Sequence, residues 1–484
     1  MIILGTNSIK DTGYNVDNSC RFNDDDGANM NKSYGGSTDT NFTFSAWIKR
    51  GDLGNTEALF SHWNGSNDNN RFIIYFEGDS LVAYHNSSDG SANDMYVKTT
   101  AVYRDPSAWY HFVVAIDTTQ GTAANRVKIY TNGVLQTSLS QTTYPAEDYA
   151  VYAFHSSGTT YLGRNASGDS APTKFFDGYM AEVFLIDGTT YAASNFGEYD
   201  SDSPTIWKPK DCKDDLTFGT NGTYLDFEDS DNLGDDESGN GNDLTETNIV
   251  AADQATDTCT NNFCVMNPLD NALNQATFSE GNCKLVTASS PYFYNTGTFG
   301  LSSGKFYYEC KVAVSAPSNY NLIGIAGEVG GGTAGDAELG GTGTYSYGYH
   351  GNNGKYRSDV PTGSGAGYAY GATYSTSIIG VYIDLDNNKL YFSKDGVLQN
   401  SGTGISIGTS PPHGVFFPAG GEQSTSGSAT LEFNFGGCPA FSISSGNSDP
   451  NGYGNFEYST TITGDGASKS FFAINTKNLA EYGG

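Results

Sequence analysis

Residues 42–49 read F-T-F-S-A-W-I-K. Phe42, Phe44, Ala46 and Ile48 alternate with Thr43, Ser45 and Lys49, the period of two that sends successive side chains to opposite faces of a strand. Residues 127–130, V-K-I-Y, show the same alternation and run into Thr131-Asn132-Gly133-Val134. Asn-Gly accepts the two positive φ angles of a type I′ turn, so this stretch predicts a β-hairpin. Working outward, segments 72–76, 81–84, 110–116, 160–162 and 179–186 also read as strands. Gly/Asn/Asp clusters separate them at roughly 8–15-residue intervals, the punctuation of a sandwich or barrel. Residues 1–200 are therefore expected to form one β-sandwich.

A second pattern of the same kind lies near residue 390. K-L-Y-F-S-K-D-G-V-L-Q (389–399) parallels V-K-I-Y-T-N-G-V-L-Q (127–136), with Asp395-Gly396 at the turn. K-F-Y-Y-E-C-K-V (305–312) and L-I-G-I-A (322–326) supply further strands, so residues 269–440 are expected to form a second, related sandwich. Between the two, from Glu198 to Asp257, lie 17 acidic side chains and three lysines without clear periodicity. This composition predicts an acidic, irregular linker over 201–268. Residues 441–484, with short apolar patches only, are expected as a tail. The fold class is thus all-β: two antiparallel β-sandwiches joined by an acidic linker.

Composition supports this and narrows function. Of 484 residues, 61 are Gly, and aromatics reach 13% while charged residues are 16%. Scarce Leu, Lys and Glu argue against helix bundles. The net charge of −30 repels phosphate backbones and excludes nucleic acid as a partner. The longest apolar run, Tyr149–Phe154, is six residues, against roughly 18 needed to span a bilayer, so no membrane insertion is expected. The first residues, MIILGTNSIK, lack a basic n-region. The seven cysteines contain no C-x-x-C pair, which fits a reduced protein assembled in the cytoplasm.

Motifs for chemistry are weak. Asp384 and Asp386 share a strand face but precede Asn387-Asn388, which favours turn capping. Two G-x-S-x-G matches, Gly300–Gly304 and Gly404–Gly408, lack the helix that a nucleophile elbow requires, and so does the G-x-G-x-x-G match at Gly330–Gly335. No catalytic residue is assigned and no enzyme activity is expected. The six histidines form no metal-binding pair. No cofactor is expected, with calcium left open at the oxygen-rich Asn23–Gly27 and Asp226–Asp236 loops.

Recognition residues are easier to nominate. Tyr345, Tyr347, Tyr349, His350, Tyr356 and Arg357 lie within thirteen residues, interleaved with Gly and Asn. Exposed rings stack on sugars and lose little entropy on contact. The alternative is that alternate tyrosines fill the core of a curved strand. His62-Trp63-Asn64 is a similar candidate in the first unit.

These stretches carry a resemblance. F-T-F-S-A-W-I-K-R (42–50), D-P-S-A-W-Y-H-F-V-V-A-I-D-T-T-Q (105–120), R-V-K-I-Y-T-N-G-V (126–134) and F-D-G-Y-M-A-E-V-F-L-I-D-G (176–188) resemble a laminin-G/concanavalin-A-like jelly roll. G-K-F-Y-Y-E-C-K-V (304–312), I-G-V-Y-I-D-L-D-N-N-K-L-Y-F-S-K-D-G (379–396) and L-E-F-N-F-G (431–436) resemble a SPRY domain. Sandwich glycosidases related to the first fold carry E-x-D-x-x-E, which this chain lacks. The whole chain is similar to tail-fibre-like virion proteins of marine bacteriophages. That similarity rests on W-K-P-K (207–210), G-T-N-G-T-Y-L-D-F (219–227), S-G-N-G-N-D-L (238–244), N-N-F-C-V-M-N-P-L-D (261–270) and F-A-I-N-T-K-N-L (472–479). It implies a receptor-binding virion protein on the particle's external surface, homo-oligomeric, whose partners are other virion proteins and a host-surface glycan or protein. The alternatives are a capsid-decorating or tail-scaffold subunit, then a polysaccharide depolymerase or a secreted lectin.

Overall fold

The computed structural model describes residues 13–36, 40–63, 71–86, 93–165, 174–271, 276–288, 292–328, 338–341, 343–358, 366–424 and 426–483. It divides into two units, Thr12–Thr260 and Asn261–Gly484. Each unit is built on two packed β-sheets. Among the described residues one α-helix occurs, Thr476–Tyr482.

In the N-terminal unit the alternating stretch is the strand Asn41–Arg50, paired antiparallel with Trp109–Asp117 on one side and Gly178–Asp187 on the other. The sheet order is Val134–Leu135, Val127–Thr131, Trp109–Asp117, Asn41–Arg50, Gly178–Asp187, Ser19–Phe22, Gln254–Ala255. Phe42, Phe44, Ala46 and Ile48 point into the core against Leu59, Phe60, Phe72 and Ile74 of the facing sheet. The facing sheet includes Thr56–Trp63, Arg71–Glu77 and Ser80–Asn86.

The polar alternates of Asn41–Arg50 are buried as well, and the reason corrects the expected linker. Residues 201–260 belong to this unit. Thr223–Leu225 pairs with Gly178–Asp187, Gln254–Ala255 with Ser19–Phe22, and Thr245–Thr247 with Asn29–Lys32 in the second sheet. Phe196, Cys212, Phe218 and Tyr224 pack with Val113, Phe184 and Ile186 as an additional apolar layer. The acidic side chains cap turns: Asp236 accepts the N–H groups of Tyr224 (2.9 Å), Ser238 (2.9 Å) and Asn242 (2.7 Å). Aperiodicity here marks a covering layer tied down by side chain–backbone hydrogen bonds.

The C-terminal unit repeats the plan. Its larger sheet runs Val397–Leu398, Lys389–Lys394, Ile378–Asp384, Lys305–Val314, Thr430–Asn434, Lys284–Val286, Thr277–Ser279. The other runs Phe293–Thr296, Phe417–Glu422, Asn321–Ala326, Ser346–His350, Lys355–Ser358, Ala366–Ala369. Phe306, Tyr308, Cys310 and Val312 face the core between the sheets. On the opposite face, Tyr307, Tyr382 and Tyr391 are covered by Phe456, Phe471 and Ala473. The expected tail, 441–484, is therefore an integral layer, and Phe472–Ala473 adds a parallel strand beside Lys305–Val314. Glu309, fully buried, anchors it by accepting N–H bonds from Glu457 (3.0 Å) and Tyr458 (2.8 Å), Tyr307 Oη–H (2.9 Å) and Asn434 Nδ2–H (3.0 Å).

Candidate functional site

The cluster nominated from the sequence is mostly structural. Ser346–His350 is an interior strand of its sheet, so Tyr347 and Tyr349 point into the core and are buried. Tyr347 Oη accepts the Gly408 N–H (2.7 Å), and Tyr349 Oη donates to the Ala372 carbonyl. The core-filling alternative is thus the one adopted for these two rings. Tyr345 is half-buried, with Phe416 at 6.0 Å and the Ser410 N–H donating to its Oη (3.2 Å). Half-buried Tyr356 stacks on Tyr368 at 5.1 Å. His350 is buried, and desolvation pushes its pKa down to about 4. In the N-terminal unit His62 is buried too, its Nδ1 3.0 Å from Thr160 Oγ1 and its pKa pushed down to about 3, first by desolvation. Trp63 beside it is half-buried, and Asn64 lies outside the described residues.

Two of the nominated residues, His350 and Arg357, nevertheless back a cleft. A hollow of about 290 Å³ opens between Tyr292, the turn Pro317–Tyr320 and the residues Gln423, Ser424 and Ser426. Its side wall, Tyr320, stacks on His350 with ring centroids 5.5 Å apart and planes 21° apart. Gln423 donates its N–H to the Tyr320 carbonyl (2.8 Å) and its Nε2–H to Glu338 Oε1 (3.2 Å). Glu338 in turn receives Arg357 at 2.9 Å. Asn352 Nδ2 holds the Ser318 carbonyl at 2.7 Å, fixing a turn in which Ser318 and Asn319 both take φ of 58°. His350 and Arg357 are thus positioning residues behind the wall. Beside them Glu422 is fully buried, and desolvation pushes its pKa up to about 7.

Phenol faces, serine hydroxyls and a carboxamide suit hydrogen-bonded recognition of a polar ligand. Tyr292, Tyr320 and Gln423 were missed from the sequence because three separate loops supply them.

The motifs for chemistry have structural partners. Asp384 caps the Asn387 N–H (3.1 Å) and pairs with Lys469 (3.0 Å). Ser302 Oγ donates to the Gly483 carbonyl (2.9 Å), and Ser406 Oγ is 3.1 Å from Lys389 Nζ. The Gly330–Gly335 motif lies outside the described residues. In the Asn23–Gly27 loop, desolvation, then Asp25 and Asp52, push the Asp24 carboxyl up. Asp177, the partner at its side, lies well above the carboxylate range, from burial first. Among the described residues no group of three or more His, Cys, Asp or Glu is arranged to hold a metal ion, and no helix is long and apolar enough to cross a membrane.

Residues 22–193 match the family model described as the concanavalin A-like lectin/glucanases superfamily, so the N-terminal unit carries a sandwich of that kind. The chain is 31% identical over 146 residues to Ran-binding protein 9 of Xenopus tropicalis, covering 30% of this chain and 24% of that one. It therefore spans about a quarter of that curated relative's length. Among solved structures it is similar to the SPRY domain of human HERC1 (12% identity, TM-score 0.28, 37% of this chain and 99% of that one). It is also similar to a carbohydrate binding protein, so described provisionally, from Bacteroides ovatus (16% identity, TM-score 0.31, 49% and 60%).

Proposed function

We propose that the chain is a non-enzymatic recognition subunit of a bacterial virus, of tail-fibre or receptor-binding type. It sits as a homo-oligomer on the particle's external surface and contacts a glycan or protein of the host. The observation that carries this reading is the cleft of Tyr292, Tyr320, Gln423 and Ser424, a polar hollow on the surface of the C-terminal sandwich. The stretches that resemble marine virion proteins supply the particle setting. The test is competition: purified full-length protein added to host cells should lower adsorption of the particle, and Gln423→Ala with Tyr320→Ala should abolish the competition while the fold persists. Undiminished adsorption at saturating protein would count against the reading.

A second reading, a capsid-decorating or tail-scaffold subunit, has its own support. The hairpins turning at Asn132-Gly133 and Asp395-Gly396 each carry an exposed apolar side chain after the turn, Val134 at 53% and Val397 at 66% exposure. Val134→Asp with Val397→Asp should then block incorporation into particles, measured on purified virions, and leave cell binding intact.

A further inference from the structure

A second cleft, of about 480 Å³, opens elsewhere on the C-terminal unit, where the outermost layer meets the larger sheet. Its wall pairs Phe472 and Tyr482, stacked at 4.0 Å with planes 18° apart. Around that wall stand Lys305, at the start of its strand, Asp386, in the turn after Ile378–Asp384, and Ser468 and Lys469 of the hairpin Thr461–Ser470. The size falls within the roughly 300–1,000 Å³ of small-molecule sites.

We propose that this cleft binds one pyranose residue of a saccharide. A sugar ring presents hydroxyls that both donate and accept, alternating with apolar C–H faces. The lining offers the complement: ammonium donors at Lys305 and Lys469, a carboxylate acceptor at Asp386, a hydroxyl at Ser468, and an aromatic wall for the C–H face. These groups are held in place before any ligand arrives. Asp386 Oδ1 accepts the Gly304 N–H (2.8 Å) and its Oδ2 pairs with Lys305 (2.6 Å). Lys469 is fixed at 3.0 Å to Asp384, which is fully buried and further held by Asn387 Nδ2–H (2.9 Å). The C-terminal helix carrying Tyr482 is clamped from below, because Ser303 Oγ donates to the Tyr482 carbonyl (3.2 Å). Preorganised polar groups cost little further ordering on binding. A purely apolar ligand would strip water from Lys305 and Asp386 without replacing it. A phosphate would meet the Asp386 carboxylate.

This site goes beyond the recognition reading and does not need the virion setting, since its readout is a free sugar. The full-length protein is titrated by saturation-transfer NMR with methyl α-D-mannopyranoside, methyl β-D-galactopyranoside, N-acetyl-D-glucosamine and D-glucuronate. Inorganic phosphate and cyclohexanol serve as controls. At least one pyranose should bind, and neither control should. Tyr482→Ala and Lys305→Ala should each weaken binding about tenfold, a loss near 1.4 kcal/mol, whereas Tyr320→Ala in the other cleft should leave it unchanged. Ser468→Trp fills the cleft from an exposed position without removing a structural partner, and should abolish binding with the melting temperature kept. The proposal is overturned if no pyranose binds more tightly than about 50 mM, if phosphate or cyclohexanol binds as well as the sugars, or if Ser468→Trp folds and binds normally.

Discussion

His111 lies fully buried between two indoles, 4.9 Å from the Trp47 ring and 6.0 Å from that of Trp207. Trp207 Nε1–H donates to His111 Nδ1 at 3.0 Å, and an indole can only donate. Nδ1 is therefore the acceptor, and the proton on Nε2 goes to Ser45 Oγ at 2.9 Å. Burial pushes the pKa down to about 3, so the ring is neutral and its tautomer set. Trp207→Phe removes the donor and strands Nδ1 in a dry layer. A loss of about 1–3 kcal/mol in urea unfolding is expected, and an unchanged midpoint would refute the assignment. The nominated tyrosines obey the same accounting. Tyr349 is fully buried among Tyr370, Tyr374 and Phe392, so Tyr349→Ser should cost about 3–5 kcal/mol, as other large-to-small core changes do. Its loss would be read as unfolding. A folded variant of native stability would return the ring to the list of exposed contacts.

The type I′ hairpins show which elements could be read in advance and which could not. Asn132-Gly133 takes φ of 47° and 79°, and Asp395-Gly396 takes 47° and 78°, as the N-G and D-G signals predict. The strands beside them were legible because each buries one alternating face. The cover over their outer faces was not, because it is held by single rings and turn caps that leave no period. Trp207 lies where a Cβ on Gly133 would stand, and Tyr458 does the same at Gly396. Each ring comes from a segment read as linker or tail. The clefts were illegible for a related reason: their walls join loops far apart in sequence. A matched pair tests the cover. Asp465-Gly466 is another D-G turn in the same unit, with φ of 49° and 78°, but its glycine faces open space. Gly466→Ala should cost about 1 kcal/mol, the backbone strain alone. Gly396→Ala must also displace Tyr458 and should cost about 2 kcal/mol or more. Equal losses in thermal melts would mean that the ring does not pack on the turn.

At the scale of the whole molecule, two sets of buried groups set opposite pH limits on stability. Desolvation lowers His62 and His111 to about 3, and His85 and His350 to about 4, from an ordinary 6.5. The unfolded chain binds those protons first, so stability is full above about 6.5 and drains away as pH falls toward 3–4. Glu182 and Glu422 are raised by burial to about 7 from 4.5. There the folded protein keeps the proton, so their contribution is full below about 4.5 and is lost as pH rises through 7. Each group alone tilts the curve by about 1.4 kcal/mol per pH unit inside its window. Between 4.5 and 6.5 the two sets oppose each other. Above 6.5 the carboxylates act alone, and below 4.5 the histidines do. Glu182 is the cleanest handle on the upper arm. It sits in the bulge of Gly178–Asp187 with φ of 50° and accepts the Tyr224 hydroxyl at 2.8 Å, a bond that a glutamine carbonyl can also accept. Denaturation from pH 6.5 to 8, where the histidines no longer oppose it, should show the N-terminal unit weakening as pH rises. Glu182→Gln should flatten that arm by about one proton's worth of slope, without moving the arm below pH 4.5. A variant curve parallel to the wild type throughout would mean that Glu182 titrates at its ordinary value, and that the bulge is open to water.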